Sequence, residues 1–196
     1  MIGSSSNGFF IGSSTNNASI APPGIDVGGK SWGIYANNNN FTAAYRPFNA
    51  PVPVGATLRI DLDNGFINSN NAVGFVLRNG NVTASHTNYN TGSRFEFLYI
   101  GNAPTNSYQV VDAAGRYAIG VPFTGTGLRL FFTPGTNDTY TLTVIDNATS
   151  VTDTIVHGSM RGATNSTLDS IALYNRNAGT GRTFDAFFNS LQITAP

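Results

Sequence analysis

Along most of this chain apolar residues recur at every second position, in short runs broken by clusters of Gly, Asn and Pro. A repeat of two is the mark of β-strands, and no segment of useful length carries the helical repeat of about 3.6. The clearest strand is residues 57–63 (TLRIDLD). Leu58, Ile60 and Leu62 share one face, and Arg59, Asp61 and Asp63 share the other. That is the pattern of an antiparallel sheet with one wet face. The turn signal Asn64-Gly65 follows, so residues 73–78 (VGFVLR) are expected to pair next. Residues 94–100 (RFEFLYI) put Phe95, Phe97 and Tyr99 on one face. Residues 31–36 (SWGIYA) and 41–46 (FTAAYR) read as a hairpin across the run of four Asn at 37–40. Residues 8–13 read as an edge strand. Further short strands are expected at 108–112, 117–121, 128–132, 139–145, 152–157, 170–176 and 184–193. Residues 14–30 read as a loop, broken by Pro22-Pro23 and Gly28-Gly29, and residues 47–53 as a Pro-rich link. About a dozen strands at this spacing predict an all-β, antiparallel two-sheet sandwich forming one domain over residues 1–196.

Composition narrows the function classes. The 14 Phe and 8 Tyr are enough to fill a sizeable core, so disorder is not expected despite the polar runs. Charged residues are 10 % of the chain, against about 25 % in ordinary globular domains. Ten basic and ten acidic residues cancel to a net charge of +0. Such a chain has no electrostatic footprint for nucleic acid or an anionic membrane. Cysteine is absent, which excludes disulfide scaffolds and Cys-based zinc sites. No apolar run approaches the roughly 20 residues of a membrane-spanning helix, so membrane insertion is not expected. The Asn-, Ser-, Thr- and Gly-rich surface is of secreted, extracellular type. With no leader-like start, the chain reads as one module among other domains of a larger parent.

Candidate chemistry is sparse. A glycoside hydrolase needs two carboxylates facing each other across the scissile bond. Glu96 is the single Glu, with no acid two residues away, and Asp61/Asp63 is the one alternating acid pair. That pair reads as solvated polar face. His86, in an expected loop, and His157, at a strand end, read as surface residues. No Gly-X-Ser-X-Gly elbow and no phosphate-binding loop is present. A catalytic site is therefore not expected. Arg outnumbers Lys nine to one. The rigid guanidinium fork suits structured hydrogen bonding better than mere solubility.

Several stretches resemble a known group. They are 29–36 (GKSWGIYA), 54–55 with 58–65 (LRIDLDNG), 73–78 (VGFVLR), 94–97 (RFEF), 171–179 (IALYNRNAG) and 184–189 (FDAFFN). Together they resemble the concanavalin A-like (lectin/glucanase) jelly-roll modules of secreted bacterial polysaccharide-degrading proteins. The resemblance implies a jelly-roll sandwich and, by analogy, a glycan ligand. The glucanase branch places Glu, Asp and Glu at alternate positions of one strand, and related lyases use Arg, His, Gln and Tyr on the concave face. This chain has neither set. Modules of this kind often hold one structural calcium near the last strand. Asp185 stands at the position of its acidic ligand, with Asp26 of the N-terminal loop as a partner. Loop Asp, Asn and carbonyl oxygens suit such an ion.

Glycan recognition uses aromatic rings against sugar C–H faces, with amide, carboxylate and Arg groups for the hydroxyls. By type and expected face the candidates are Trp32, Tyr35, Tyr45, Arg59, Asp61, Arg78, Glu96, Arg129 and Tyr174. Each has a structural alternative. Trp32 alternates with Ile34 and so is expected in the core. Arg59 with Asp61, and Arg78 with Glu96, are possible cross-strand ion pairs. The expected function is a noncatalytic carbohydrate-binding module taking a polysaccharide or oligosaccharide. A structural or adhesive module and a glycan-cleaving enzyme are the alternatives.

Overall fold

The computed structural model describes residues 6–16, 20–81, 88–103, 105–150 and 152–196. Thirteen strands occur among them: β1 (Asn7–Gly12), β2 (Ser31–Ala36), β3 (Phe41–Pro47), β4 (Thr57–Asn64), β5 (Ala72–Arg78), β6 (Ser93–Ile100), β7 (Ser107–Asp112), β8 (Gly115–Pro122), β9 (Leu128–Pro134), β10 (Thr139–Asp146), β11 (Thr152–Ser159), β12 (Ser170–Arg176) and β13 (Ala186–Thr194). They form two antiparallel sheets. One has seven strands in the order β1-β2-β13-β4-β9-β10-β11; the other has six, in the order β3-β12-β5-β6-β7-β8. None of the described helices is long and apolar enough to cross a membrane.

The inner faces are those the alternation marks. Leu58, Ile60 and Leu62 of β4, with Leu130 and Phe132 of β9, meet Phe75 of β5 and Phe95, Phe97 and Tyr99 of β6. The Phe95 ring lies 4.8 Å from Phe132 and 4.9 Å from Tyr140, centroid to centroid, which ties the two sheets together. Each such buried aromatic contributes on the order of 2–3 kcal/mol.

Strand partners depart from the linear reading. Residues 31–36 and 41–46 do not form a hairpin, because β2 lies in the seven-stranded sheet and β3 in the six-stranded one. The chain crosses between layers there, held by the Thr42 hydroxyl donating to the Tyr35 carbonyl at 2.8 Å. The same crossing separates β4 from β5 and β12 from β13. Period-two alternation says which side chains face inward. It does not say which of two sheets a strand joins.

The second departure concerns the outer faces at β4, β5 and β6, which are not wet. β5 is buried along its whole length, and Asp61 and Asp63 of β4 are 4 % and 0 % exposed. Chain outside the two sheets covers them. Ile20 and Ile25 of the N-terminal loop pack with Phe187 and Phe10 over the seven-stranded sheet. Phe41 and Tyr89 pack on Ala172, Tyr174 and Leu98 over the six-stranded one. Close approach is also built in at Gly74, where a Cβ would stand 2.1 Å from the Phe97 carbonyl oxygen. The neighbour is backbone and cannot yield, so Gly74→Ala is expected to cost about 3 kcal/mol in chemical denaturation. A cost under ~1 kcal/mol would show that β5 and β6 can separate.

Candidate functional site

Gly74 also lies at the centre of the six-stranded sheet's register. Gly74 pairs with Tyr174 of β12 on one side and Leu98 of β6 on the other. Tyr174 reaches from β12 to β6, where its hydroxyl donates to Glu96 Oε1 at 2.7 Å. A guanidinium nitrogen of Arg161 stands 3.6 Å from Glu96 Oε2. Arg161 Nε also donates to the Ser93 hydroxyl at 3.0 Å. The Tyr89 ring, half-buried, sits 4.4 Å from Tyr174 and 5.2 Å from Phe41, so three rings form one layer on this outer face.

Charge converges on that layer. Burial first, then Glu96, push the Tyr89 hydroxyl above its ordinary value, while Arg176 and Arg161 pull it back. Burial, Glu96 and Tyr89 likewise hold the Tyr174 proton tightly. Both hydroxyls are therefore hydrogen-bond donors at neutral pH. Two phenols, one carboxylate and two guanidinium groups thus face one aromatic layer. Among the described residues no second carboxylate is recorded beside Glu96. The cluster can stack a ring face and bond hydroxyl or carboxylate groups; it lacks the acid pair of the usual glycosidase.

Behind Arg161 lies its anchor. Arg94 donates to the carbonyls of Arg161 at 2.5 Å and Ala163 at 2.9 Å, and pairs with Asp138. The Arg161 amide returns a bond to the Arg94 carbonyl at 2.9 Å.

The nine residues expected from sequence separate into distinct regions. Tyr174 and Glu96 form the site. Arg78 stacks on Tyr45 at 5.1 Å at one edge of the same sheet. The expected Arg78–Glu96 pair does not form, since Arg78 stands opposite Ser93 and Glu96 opposite Val76, with a bulge beginning after Leu77. Arg59 and Asp61 do pair, at 3.1 and 2.8 Å, with Arg129 cross-strand from Asp61. They lie on the seven-stranded sheet, away from Glu96. Tyr35, also on that sheet, packs against Phe10 at 6.1 Å. Trp32 is 60 % exposed rather than core. It shares the inward parity of Ile34, but it lines a cleft of about 400 Å³ at the sandwich flank, with Tyr45, Arg46, Leu173 and Asn189. Tyr89, Arg161, Arg176 and Phe41 were not singled out by sequence as ligand groups. Tyr89 and Arg161 sit outside the strands, where no periodicity marks them. Phe41 shares the parity of Tyr45 and faces outward, where it packs with Tyr89 on the six-stranded sheet.

His86 lies outside the described residues, and His157 is an exposed partner of the Thr141 hydroxyl at 3.2 Å. Asp26 accepts from the Ser14 amide at 2.9 Å and from the Ser13 hydroxyl. Asp185 lines a separate cleft with Phe10, Tyr35, Arg182 and Phe187. Burial holds its carboxyl up at about 7, with Arg182 opposing. No three His, Cys, Asp or Glu side chains converge on a metal position among the described residues.

Neither a protein-family model nor a curated protein matches this sequence. Solved structures do match. A legume lectin-like domain from Entamoeba histolytica superposes with TM-score 0.58 and 11 % identity, covering 94 % of this chain and 87 % of that one. A carbohydrate esterase from Shiga toxin-encoding bacteriophage phi24B gives 0.57 at 12 % identity, over 96 % and 87 %. A galectin-like protein of unknown function from Bacillus subtilis gives 0.51 at 10 % identity, over 84 % and 82 %. The fold is that of the concanavalin A-like lectins and glucanases. At these identities the likeness speaks to the lectin-like sandwich alone, and function has to be argued from the site.

Proposed function

We propose that this lectin-like domain is a noncatalytic glycan-binding module, with its ligand on the outer face of the six-stranded sheet. One observation carries the reading: the Phe41–Tyr89–Tyr174 ring layer is bordered by Glu96 and Arg161, which hold each other in place, and by Arg176. A sugar C–H face packs on Tyr89, and its hydroxyls bond to the guanidinium groups. Glu96 holds Tyr174 and Arg161 in place rather than meeting solvent. Arg161 and Arg176 against one buried acid leave local positive charge on a neutral chain, which favours acidic over neutral glycans. The fold shared with a lectin-like domain supports the reading. The lack of a second carboxylate beside Glu96 among the described residues favours binding over hydrolysis in this reading. The sparse charge and the Asn-, Ser-, Thr- and Gly-rich composition support an extracellular setting for it.

Titration against panels of neutral and acidic polysaccharides tests this. Tyr89→Ala and Arg161→Ala are each expected to weaken binding about tenfold, as loss of an aromatic or Arg anchor does. Binding to no glycan of either panel, or affinities unchanged in both variants, would sink it. Release of reducing ends or of unsaturated sugars would overturn the noncatalytic part.

A further inference from the structure

Trp32 and Arg46 come from different sheets and meet at one flank of the sandwich. Trp32 stands opposite Phe188 of β13, and Arg46 opposite Ile171 of β12. Phe188 and Ile171 belong to the core, so Trp32 and Arg46 both have inward parity. Neither is covered. Both are exposed, and both line the same cleft of about 400 Å³. The cause lies in β13. Its pairing with β2 ends at Trp32, and its register against β4 shifts between Asn189 and Gln192, with Ser190 at a φ of 54°. Such a bulge bends the strand. The sheet parts there, and the space between the two layers opens to solvent.

The chemistry of this cleft is one-sided. Ile60, Ile171, Leu173 and Phe188 give it an apolar floor. Trp32 and Tyr45 give it two rings, and Tyr45 is stacked against Arg78 at 5.1 Å. Ile11, opposite Trp32 on β1 and likewise exposed, extends the apolar surface outward. Arg46 is the one charged residue of the lining, and no ion pair or hydrogen bond engages its side chain among the described residues. Asn189 is already committed: its Nδ2 donates to the Ile25 and Lys30 carbonyls, and its Oδ1 accepts from the Ser190 amide. A pyranose would bring several hydroxyls to this floor and leave most of them unpaired, at a cost for each. A flat apolar body with one negative end leaves nothing unpaired. Its ring face meets Trp32, and its anion meets the free guanidinium. A volume of about 400 Å³ falls near the lower end of the range for small-molecule pockets.

We propose that this flank cleft binds an aromatic carboxylate, with Trp32 stacking on its ring and Arg46 taking its carboxylate. The site is separate from the Glu96–Tyr174 layer, and neither depends on the other.

The test uses the full chain and cinnamate, titrated by calorimetry. Trp32 is the single tryptophan of the chain, so its emission reports occupancy directly. One site per chain is expected, with a change in Trp32 emission that saturates together with the heat. Trp32→Ala and Arg46→Gln are each expected to weaken binding about tenfold. Both positions are exposed, so both variants should fold. Cinnamyl alcohol keeps the ring and lacks the charge. It should bind the wild-type protein about tenfold more weakly than cinnamate and be indifferent to Arg46→Gln. No saturable binding of cinnamate tighter than about 1 mM would overturn the proposal. So would unchanged affinity in Arg46→Gln. Octanoate or glucuronate binding as tightly as cinnamate would overturn the aromatic class. Glycan affinity should not change in Arg46→Gln; its loss would make the cleft part of the glycan site and overturn the separate one.

Discussion

This protein is expected to become more stable as pH falls from 8 to 5, the reverse of ordinary acid sensitivity. Asp63 is the main cause. Its carboxyl is held at about 7 in the fold, against an ordinary 3.8, chiefly by burial. Between those values the folded chain binds a proton that the unfolded chain has released, so stability declines as pH rises. The contribution is complete below the unfolded value and lost once pH passes about 7. A displacement of that size corresponds to roughly 4 kcal/mol. The groups that face Asp63 do not reverse the sign: Asp26 and Asp146 repel its charge, and Tyr108 stays protonated. Asp185, also held up at about 7, acts in the same direction. Asp26 is lowered, so its opposing contribution is lost only below the ordinary carboxylate value, outside the window. Guanidinium denaturation in EDTA at pH 5, 6, 7 and 8 measures the slope, and Asp63→Asn should remove most of it. A stability that stays level or rises with pH would show that Asp63 is solvated in solution.

The second large effect is expected at Arg94. Its side chain is 1 % exposed, and that of its partner Asp138 is 15 % exposed. Arg94→Met would leave that carboxylate and the Arg161 and Ala163 carbonyls without their donor. Breaking one side of such a buried pair costs about 3–5 kcal/mol. Asp138 also accepts from the Asn165 amide at 2.8 Å, so the pair clamps residues 160–165 against β6. Arg161 rides on that segment. Arg94→Met should therefore weaken glycan binding even below its unfolding temperature, whereas a purely structural role would lower Tm alone. Arg94→Lys keeps the charge but lacks the fork, and should recover only a minor part. Denaturation midpoints and glycan affinities of the three proteins decide this. A loss under ~1 kcal/mol would mean the segment is held by other contacts.

The local pattern determined a good deal by itself. Alternation in residues 57–63 and 94–100 placed Leu58, Ile60, Leu62, Phe95, Phe97 and Tyr99 inward, where the structure has them. It also located the strands within a few residues and implied a sandwich. These are properties of neighbours along the chain, since side-chain direction in a strand depends only on parity. Tertiary structure decided the rest. It sent β2 and β3 to different sheets, because nothing in a turn's composition distinguishes a hairpin from a crossing between layers. It buried Asp63, because the loop that covers β4 belongs to residues some forty positions earlier in the chain. It also brought Tyr174, Glu96, Tyr89 and Arg161 together from four separate segments. Of these, Tyr174 and Glu96 were legible as outward-facing strand residues. Tyr89 and Arg161 were not, because a residue outside any strand has no parity to reveal the face it will meet.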